Sequence, residues 1–97
     1  MINPIRDQTL SVKTLTVVDT EYSVAIPSSA REIRFRCRTL FDIRYAWEAG
    51  KVATPTDPYA TVPSGLEYRS DKKNLTGKTL YLASSEAGVV VEISIGI

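Results

Sequence analysis

The sequence has no histidine and a single cysteine among its 97 residues. It therefore lacks Ser-His-Asp and Cys-His catalytic groups, and one cysteine forms neither an intrachain disulfide nor a Cys- or His-ligated zinc site. Twelve basic and eleven acidic side chains leave a net charge of +1, so no strong field attracts nucleic acid or anionic lipid. We expect no metal site and no nucleic-acid partner.

Long apolar runs and catalytic motifs are also missing. No run approaches the 18 consecutive apolar residues of a membrane-spanning helix. The first ten residues, MINPIRDQTL, contain Arg6 and Asp7, so they do not resemble a secretory signal. There is no glycine-rich phosphate loop and no nucleophile elbow. The sequence predicts a non-enzymatic protein that has no catalytic residues, needs no cofactor, does not bind a membrane and folds in a reducing cytoplasm.

Alternation of apolar and polar residues is the dominant pattern. In the run EIRFRCR, residues 32–38, Ile33, Phe35 and Cys37 alternate with charged residues, as in a half-buried strand. This parity predicts that Cys37 is a small buried residue rather than a nucleophile. Residues 41–48 alternate in the same way, so both segments are predicted strands.

Further strands are predicted on both sides of this pair. Leu10 and Val12 have the opposite parity to Leu15, which predicts a bulge near residues 13–14. The other candidate strands are 22–26, 59–62, 66–69, 79–84 and 89–95. The last two are separated by Ser85–Gly88, a connection of the length and composition of a hairpin turn.

Seven or eight short strands without a helical segment are typical of an all-β fold. The irregular loops between residues 45 and 70 favour an antiparallel β-sandwich, jelly-roll-like, over an up-and-down barrel. We expect one domain, in which residues 1–19 form an N-terminal arm and first strand and residues 20–97 form the β-sandwich. The predicted core residues lie on the apolar parity of their strands: Phe35, Ile43, Trp47, Leu82, Val91 and Ile93.

A row of arginines is the first candidate site. Arg34, Arg36 and Arg38 share one face of a strand about 7 Å apart, and Arg44 belongs to the next predicted strand. Guanidinium groups in such a row can bind carboxylates or phosphates. The outward parities also carry acids, which favours cross-strand pairing on a sheet that faces solvent or another subunit: Glu32, Asp42, Glu48 and Glu92. A paired surface is favoured over a subunit interface, and both are favoured over a nucleic-acid contact.

Three further features bear on function. Tyr59 and Tyr68 lie in the loop-rich middle, and exposed aromatic rings bind sugars in carbohydrate-binding modules. Ile2 and Ile5 occur in a segment without strand alternation, which suits an arm that orders on a neighbouring molecule. The last run, VVVEISIGI, holds more apolar side chains than one face can bury, so we expect this strand to contact another chain. We expect a homo-oligomer, with a trimer as the first expectation.

Two segments carry a resemblance to a known family. VAIPSSAREIRFRCRTLFDIRYAW and LTGKTLYLASSEAGVVVEISIGI resemble small structural proteins of tailed bacteriophages, over roughly residues 20–97. The resemblance implies a virion component with a β-sandwich fold, assembled in the host cytoplasm, that decorates or completes the head, neck or tail. It would self-associate and dock on other virion proteins. The alternatives are a carbohydrate-binding or other ligand-binding β-sandwich module and a host-side adhesion domain.

Overall fold

The computed structural model describes residues 8–27, 30, 32–70 and 78–96. Strands are the regular secondary structure of these residues, and none of them is helical, so the all-β prediction is confirmed. The eight strands are β1 (Gln8–Leu15), β2 (Tyr22–Ala25), β3 (Glu32–Cys37), β4 (Ile43–Ala46), β5 (Ala60–Val62), β6 (Glu67–Ser70), β7 (Thr79–Ala83) and β8 (Val89–Gly96).

The strands form two four-stranded antiparallel sheets. The first sheet has the order β1-β8-β3-β6 and the second has the order β2-β7-β4-β5. β1 and β2 lie in different sheets, where β1 pairs with β8 and β2 pairs with β7. This interleaved strand order is that of a jelly roll. The predicted antiparallel sandwich is therefore confirmed, with the jelly-roll connections.

The core lies between the inner faces of the two sheets. β3 and β8 contribute alternate residues to it, and Phe35 and Ile93 face each other in the ladder that joins these strands. Five of the six predicted core residues are buried; Trp47 is the exception. Trp47 follows the end of β4 and is half-buried, packing edge-on against Tyr68 with ring centroids 6.4 Å apart. Cys37 is buried and free, as expected.

The predicted bulge in the first strand is wrong. β1 pairs with β8 without interruption, from Gln8 opposite Gly96 to Leu15 opposite Val89. Leu15 therefore faces the core, whereas Leu10 and Val12 face outward and are exposed. The apolar residues of β1 that have opposite parities thus lie on opposite faces of a regular strand, and two of them are on the surface.

The predicted hairpin at Ser85–Gly88 is also wrong. β7 belongs to the second sheet and β8 to the first, so this turn crosses between sheets. Gly88 has φ +71° and its N–H donates to the Leu15 carbonyl at 2.9 Å, so the turn is anchored to the end of β1. A positive φ is readily adopted by glycine, which permits the sharp crossing.

The apolar C-terminal strand is covered within its own chain. β8 lies between β1 and β3, and Val91, Ile93 and Ile95 are buried in the core. Val90 points to the opposite face, where it is half-buried. Most of the apolar side chains of this strand are therefore covered within the chain, and a contact of its outer face with another chain stays a prediction.

A second, smaller apolar cluster lies on the outer face of the second sheet. Ala46 and Ala83 point outward from β4 and β7, and Val52 from the long β4–β5 loop packs on them. Tyr59 and Tyr81 border this cluster. The irregular segment 47–59 is thus a cover for one sheet face. The predicted arm, with Ile2 and Ile5, lies outside the described residues.

Candidate functional site

The predicted arginine row lies on the outer face of the first sheet, which we call the arginine face. Arg34 and Arg36 point outward from β3, and Arg38 follows the strand's last residue. The ladders place Leu10, Ser94, Arg34 and Arg69 in one row across the sheet, and Val12, Glu92, Arg36 and Glu67 in the next. The face therefore combines an apolar edge on β1 with arginines and glutamates on the other three strands.

Glu92 is held between two of these arginines. Its carboxylate accepts a hydrogen bond from Arg38 Nε at 2.8 Å and another from Arg36 Nε at 3.1 Å. The hydrogen bond from Arg38, followed by that from Arg36, lowers the pKa of the Glu92 carboxyl below its usual value. Cross-strand pairing, the favoured interpretation of the row, therefore applies to Arg36 and Arg38.

Arg34 differs from its neighbours in the row. Within the described part of the chain it makes no hydrogen bond or ion pair, and its side chain is half-buried. A shallow depression of about 400 Å³ runs beside it, bordered by the apolar side chains of Leu10 and Val12. Leu10 is 79% exposed. A guanidinium group beside apolar surface suits a partner that offers both a carboxylate and an apolar side chain.

Arg44 lies elsewhere. It points outward from β4 in the second sheet, where its Nε donates to the Val52 carbonyl at 2.8 Å and its Nη2 donates to Asp19 Oδ1 at 2.7 Å. Its side chain is only 13% exposed. These contacts fasten the β4–β5 loop and the β1–β2 turn to the sheet. The structure therefore separates Arg44 from the other three predicted residues.

Sequence reasoning missed a surface at one end of the sandwich, which we call the apolar end. It is formed by the turns after β1, β3, β5 and β7, which lie together because every second connection of the jelly roll returns to the same end. The turns after β1, β3 and β5 carry five of the seven exposed large apolar side chains among the described residues: Val17, Val18, Leu40, Phe41 and Leu66. The sequence signal that could have identified this surface was the presence of apolar residues beside turn residues, outside the alternating strand segments.

Hydrogen bonds between the turns make the apolar end well defined. Asp42 Oδ1 accepts from the Ser64 N–H at 2.7 Å, and Ser64 Oγ donates to the Leu40 carbonyl at 2.7 Å. Ser84 Oγ donates to the Asp42 carbonyl at 3.2 Å. Leu40 has φ +63°, a left-handed conformation that is rare for a bulky residue, and its side chain is 65% exposed. The backbone is thus strained where it displays an apolar side chain.

The aromatic residues gather at the opposite end of β4. A depression of about 380 Å³ is lined there by Tyr45, Trp47, Glu48, Pro58 and Tyr59. Tyr68 instead packs on Phe35 and Tyr45 with ring centroids 4.8 and 5.0 Å apart. Burial, and secondarily the neighbouring Tyr68, raises the pKa of Tyr45. Of the two undecided tyrosines, Tyr59 therefore borders a cavity and Tyr68 belongs mainly to the packing of the core.

The described residues contain neither a metal-ligating cluster nor a membrane-spanning helix. Across residues 8–27, 30, 32–70 and 78–96, no group of three or more potential metal-ligating side chains comes together. That part of the chain also contains no helix long and apolar enough to cross a bilayer.

Comparisons with known proteins identify a fold relative. No family model matches the sequence, and no curated protein matches it. Among solved structures, the chain is similar to a solution NMR structure of a de novo designed double-stranded β-helix, with a TM-score of 0.55 and 9% sequence identity. The match covers 94% of this chain and 99% of the designed one. At this identity the similarity shows the fold alone.

Proposed function

We propose that the protein is a non-enzymatic structural subunit of a bacteriophage virion, which associates with further copies of itself and docks on other virion proteins. The observation that carries the proposal is the apolar end, where five large apolar side chains are exposed in three neighbouring turns. Large apolar side chains that are exposed and grouped at one end of a domain are typical of an interaction site. The strained backbone of Leu40 adds support, because such strain collects at functional positions.

The arginine face of a second copy has the chemistry to bind the apolar end. At the apolar end, Asp42 and Glu86 border a depression of about 240 Å³ beside Leu40 and Phe41. The arginine face offers the opposite charge, with Arg34 beside Leu10 and Val12. If the apolar end of one copy packed against the arginine face of another, apolar side chains would contact apolar side chains. Carboxylates would lie beside guanidinium groups.

A contact between two different surfaces is heterologous, and it closes into a ring when the rotation between copies allows. Three copies are the expected number, and the mass in solution decides it. The arginines bring a salt-dependent contribution, because ions screen exposed charges over about 10 Å at 0.1 M. Association should therefore weaken as salt is raised.

The fold and the sequence resemblance support the virion setting from two sides. Jelly rolls build viral capsid subunits and lectin domains, among others, so the fold alone does not choose between these functions. The segments of residues 20–97 that resemble small structural proteins of tailed phages favour a virion protein among these functions. Assembly would take place in the host cytoplasm.

Light scattering coupled to size exclusion tests the self-association. We expect a defined oligomer for the wild type, and a monomer for the double variant Phe41→Ser, Leu66→Ser. Arg34→Glu and Glu86→Lys should each weaken association, and their combination should restore part of it, because the reversed charges face each other again. Ser85→Ala, beside Glu86 at the apolar end, is the matched control and should retain the wild-type mass.

Mass spectrometry of purified particles tests the virion role. We expect the chain to remain with the particles through density-gradient purification. A wild-type protein that stays monomeric at high micromolar concentration and low salt would contradict the self-association. Absence of the chain from purified particles would contradict the proposed function as a whole.

A further inference from the structure

The depression beside β4 and β5 lies where their ladder ends. Tyr45 pairs with Ala60 at this point. Trp47 and Glu48 follow β4, while Pro58 and Tyr59 precede β5, so the chain brings side chains from both strands to one site. Its volume of about 380 Å³ falls within the range of small-molecule sites, about 300–1,000 Å³.

Three aromatic side chains of this depression are held in place by the core while remaining accessible. Tyr45 contacts Phe35 edge-on with centroids 5.4 Å apart, and Trp47 contacts Tyr68. Tyr59 packs on the small apolar cluster of the outer sheet face. All three are half-buried, neither covered nor fully solvated. Rings fixed in this way lose little conformational freedom when a ligand binds.

The polar groups of the same side chains are available to a ligand. Among the described residues, none makes a hydrogen bond with the Tyr45 or Tyr59 hydroxyl, Trp47 Nε1 or the Glu48 carboxylate. Together they supply hydroxyls that donate or accept, one N–H donor and one charged acceptor. A buried apolar surface bordered by a few such groups is the usual composition of a ligand site.

This combination matches a pyranose ring. Such a ring has an apolar face of C–H groups, which packs on aromatic rings, and a rim of hydroxyls, which needs donors and acceptors. Among the described residues, the lining contains a carboxylate and no lysine or arginine, which disfavours sugars that carry a carboxylate or sulfate. We infer that the depression lined by Tyr45, Trp47, Glu48 and Tyr59 is a binding site for a neutral saccharide. It lies at the other end of β4 from the apolar end, and it does not depend on the proposed assembly.

Trp47 provides a direct readout, because it is the only tryptophan in the chain. The full-length protein would be titrated with neutral oligosaccharides (α-glucan, β-glucan, chitin, mannan and galactan hexamers) while tryptophan fluorescence is followed. An oligogalacturonate is the anionic comparison. We expect a saturable change in fluorescence with at least one neutral oligosaccharide and none with the oligogalacturonate.

Variants locate the binding. Tyr59→Phe removes one hydroxyl and should weaken binding about 3- to 10-fold, as expected for one lost neutral hydrogen bond. Glu48→Gln should weaken it at least as much. Tyr81→Phe is the control for Tyr59, because Tyr81 borders the same apolar cluster without lining the depression. Near-UV circular dichroism verifies that each variant is folded.

Three results would overturn the inference. The first is no saturable fluorescence change with any neutral oligosaccharide. The second is a response to the oligogalacturonate alone, which would assign the depression to an anionic ligand. The third is equal weakening by Tyr59→Phe and Tyr81→Phe, which would place the ligand elsewhere. The outcome is independent of the oligomer mass, so this inference and the proposed function can fail separately.

Discussion

Arginines that share one alternating pattern have different environments in the folded chain. Arg36 and Arg38 are exposed and share the Glu92 carboxylate, and Arg34 lies beside exposed leucine and valine side chains. Arg44 is nearly buried and bonds to loop carbonyls. Alternation gives the side of the strand on which a residue lies. What that side faces depends on the segment packed against it.

Glu92 yields a prediction about pH. Because its pKa is lowered in the folded protein, its contribution to stability is present above the unfolded pKa and is lost as pH falls through the folded one. The free energy of unfolding should therefore decrease below pH 4.5 in the wild type, and less steeply in Glu92→Gln. Arg38→Gln should raise the Glu92 pKa more than Arg36→Gln, since the hydrogen bond from Arg38 is the larger cause. Carbon-13 NMR titration of the Glu92 carboxyl measures its pKa in both arginine variants. A larger increase of this pKa in Arg36→Gln would contradict the assignment of Arg38 as the larger cause.

Arg44 yields a prediction about stability. Arg44→Ala leaves the carbonyl of buried Val52 without its donor, which should reduce the free energy of unfolding by about 1–3 kcal/mol. Asp19→Asn removes only the partly exposed ion pair and should change it by less than about 1 kcal/mol. Arg69→Ala on the arginine face is the control, expected within about 0.5 kcal/mol. Urea denaturation measures all three, and equal effects of Arg44→Ala and Arg69→Ala would show that the loop is not held by Arg44.

At the scale of elements, side-chain alternation predicted most strands but not their partners. β3 alternates strictly and β8 alternates from Val91 to Ile95, so their core faces were predictable. In β1 the sequence conflict was interpreted as a bulge, yet β8 pairs with every residue of β1 and keeps it regular. Backbone pairing along eight residues outweighed the exposure of two apolar side chains. The turn Ser85–Gly88 has the length of a hairpin turn. It crosses between sheets because β7 pairs with β2 in one sheet and β8 pairs with β1 in the other.

Two leucines on different strands test the face assignments. Leu82 in β7 is fully buried, and Leu82→Ala should reduce the free energy of unfolding by about 2–5 kcal/mol. Leu10→Ala makes the same chemical change on the exposed side of β1, and it should have an effect within about 0.5 kcal/mol. Both are measured by chemical denaturation at a concentration where the protein is monomeric, so that association does not contribute. A large loss from Leu10→Ala would mean that β1 is shifted by one residue.

At the scale of the whole molecule, the jelly roll sorts its loops between two ends. Each connection is unremarkable in the sequence, but the fold places the turns after odd-numbered strands together and thereby creates the apolar end. The loop after β4 lies toward the opposite end, where the aromatic depression forms. One small domain thus presents two separate candidate surfaces with different chemistry.

Leu40 links stability to association. Its left-handed backbone costs an L-residue about 1–2 kcal/mol, whereas glycine adopts it readily, so Leu40→Gly should raise the unfolding free energy of the monomer by up to about 1 kcal/mol. The same change removes an exposed apolar side chain and should weaken self-association. Thermal melts at low concentration measure the first effect and sedimentation velocity the second. Stronger association in Leu40→Gly would contradict the role of the apolar end.

The sequence by itself determined the all-β class, the approximate strand positions and five of the six predicted core residues, because alternation is a local pattern that depends only on strand geometry. It also placed Arg34, Arg36 and Arg38 on one face for the same reason. The tertiary structure decided the partners of each strand, the outward direction of Leu10 and Val12, and the separation of Arg44 from the other arginines. It also decided that four distant turns meet at one end, since contacts between residues far apart in the chain depend on how the two sheets close around their shared core.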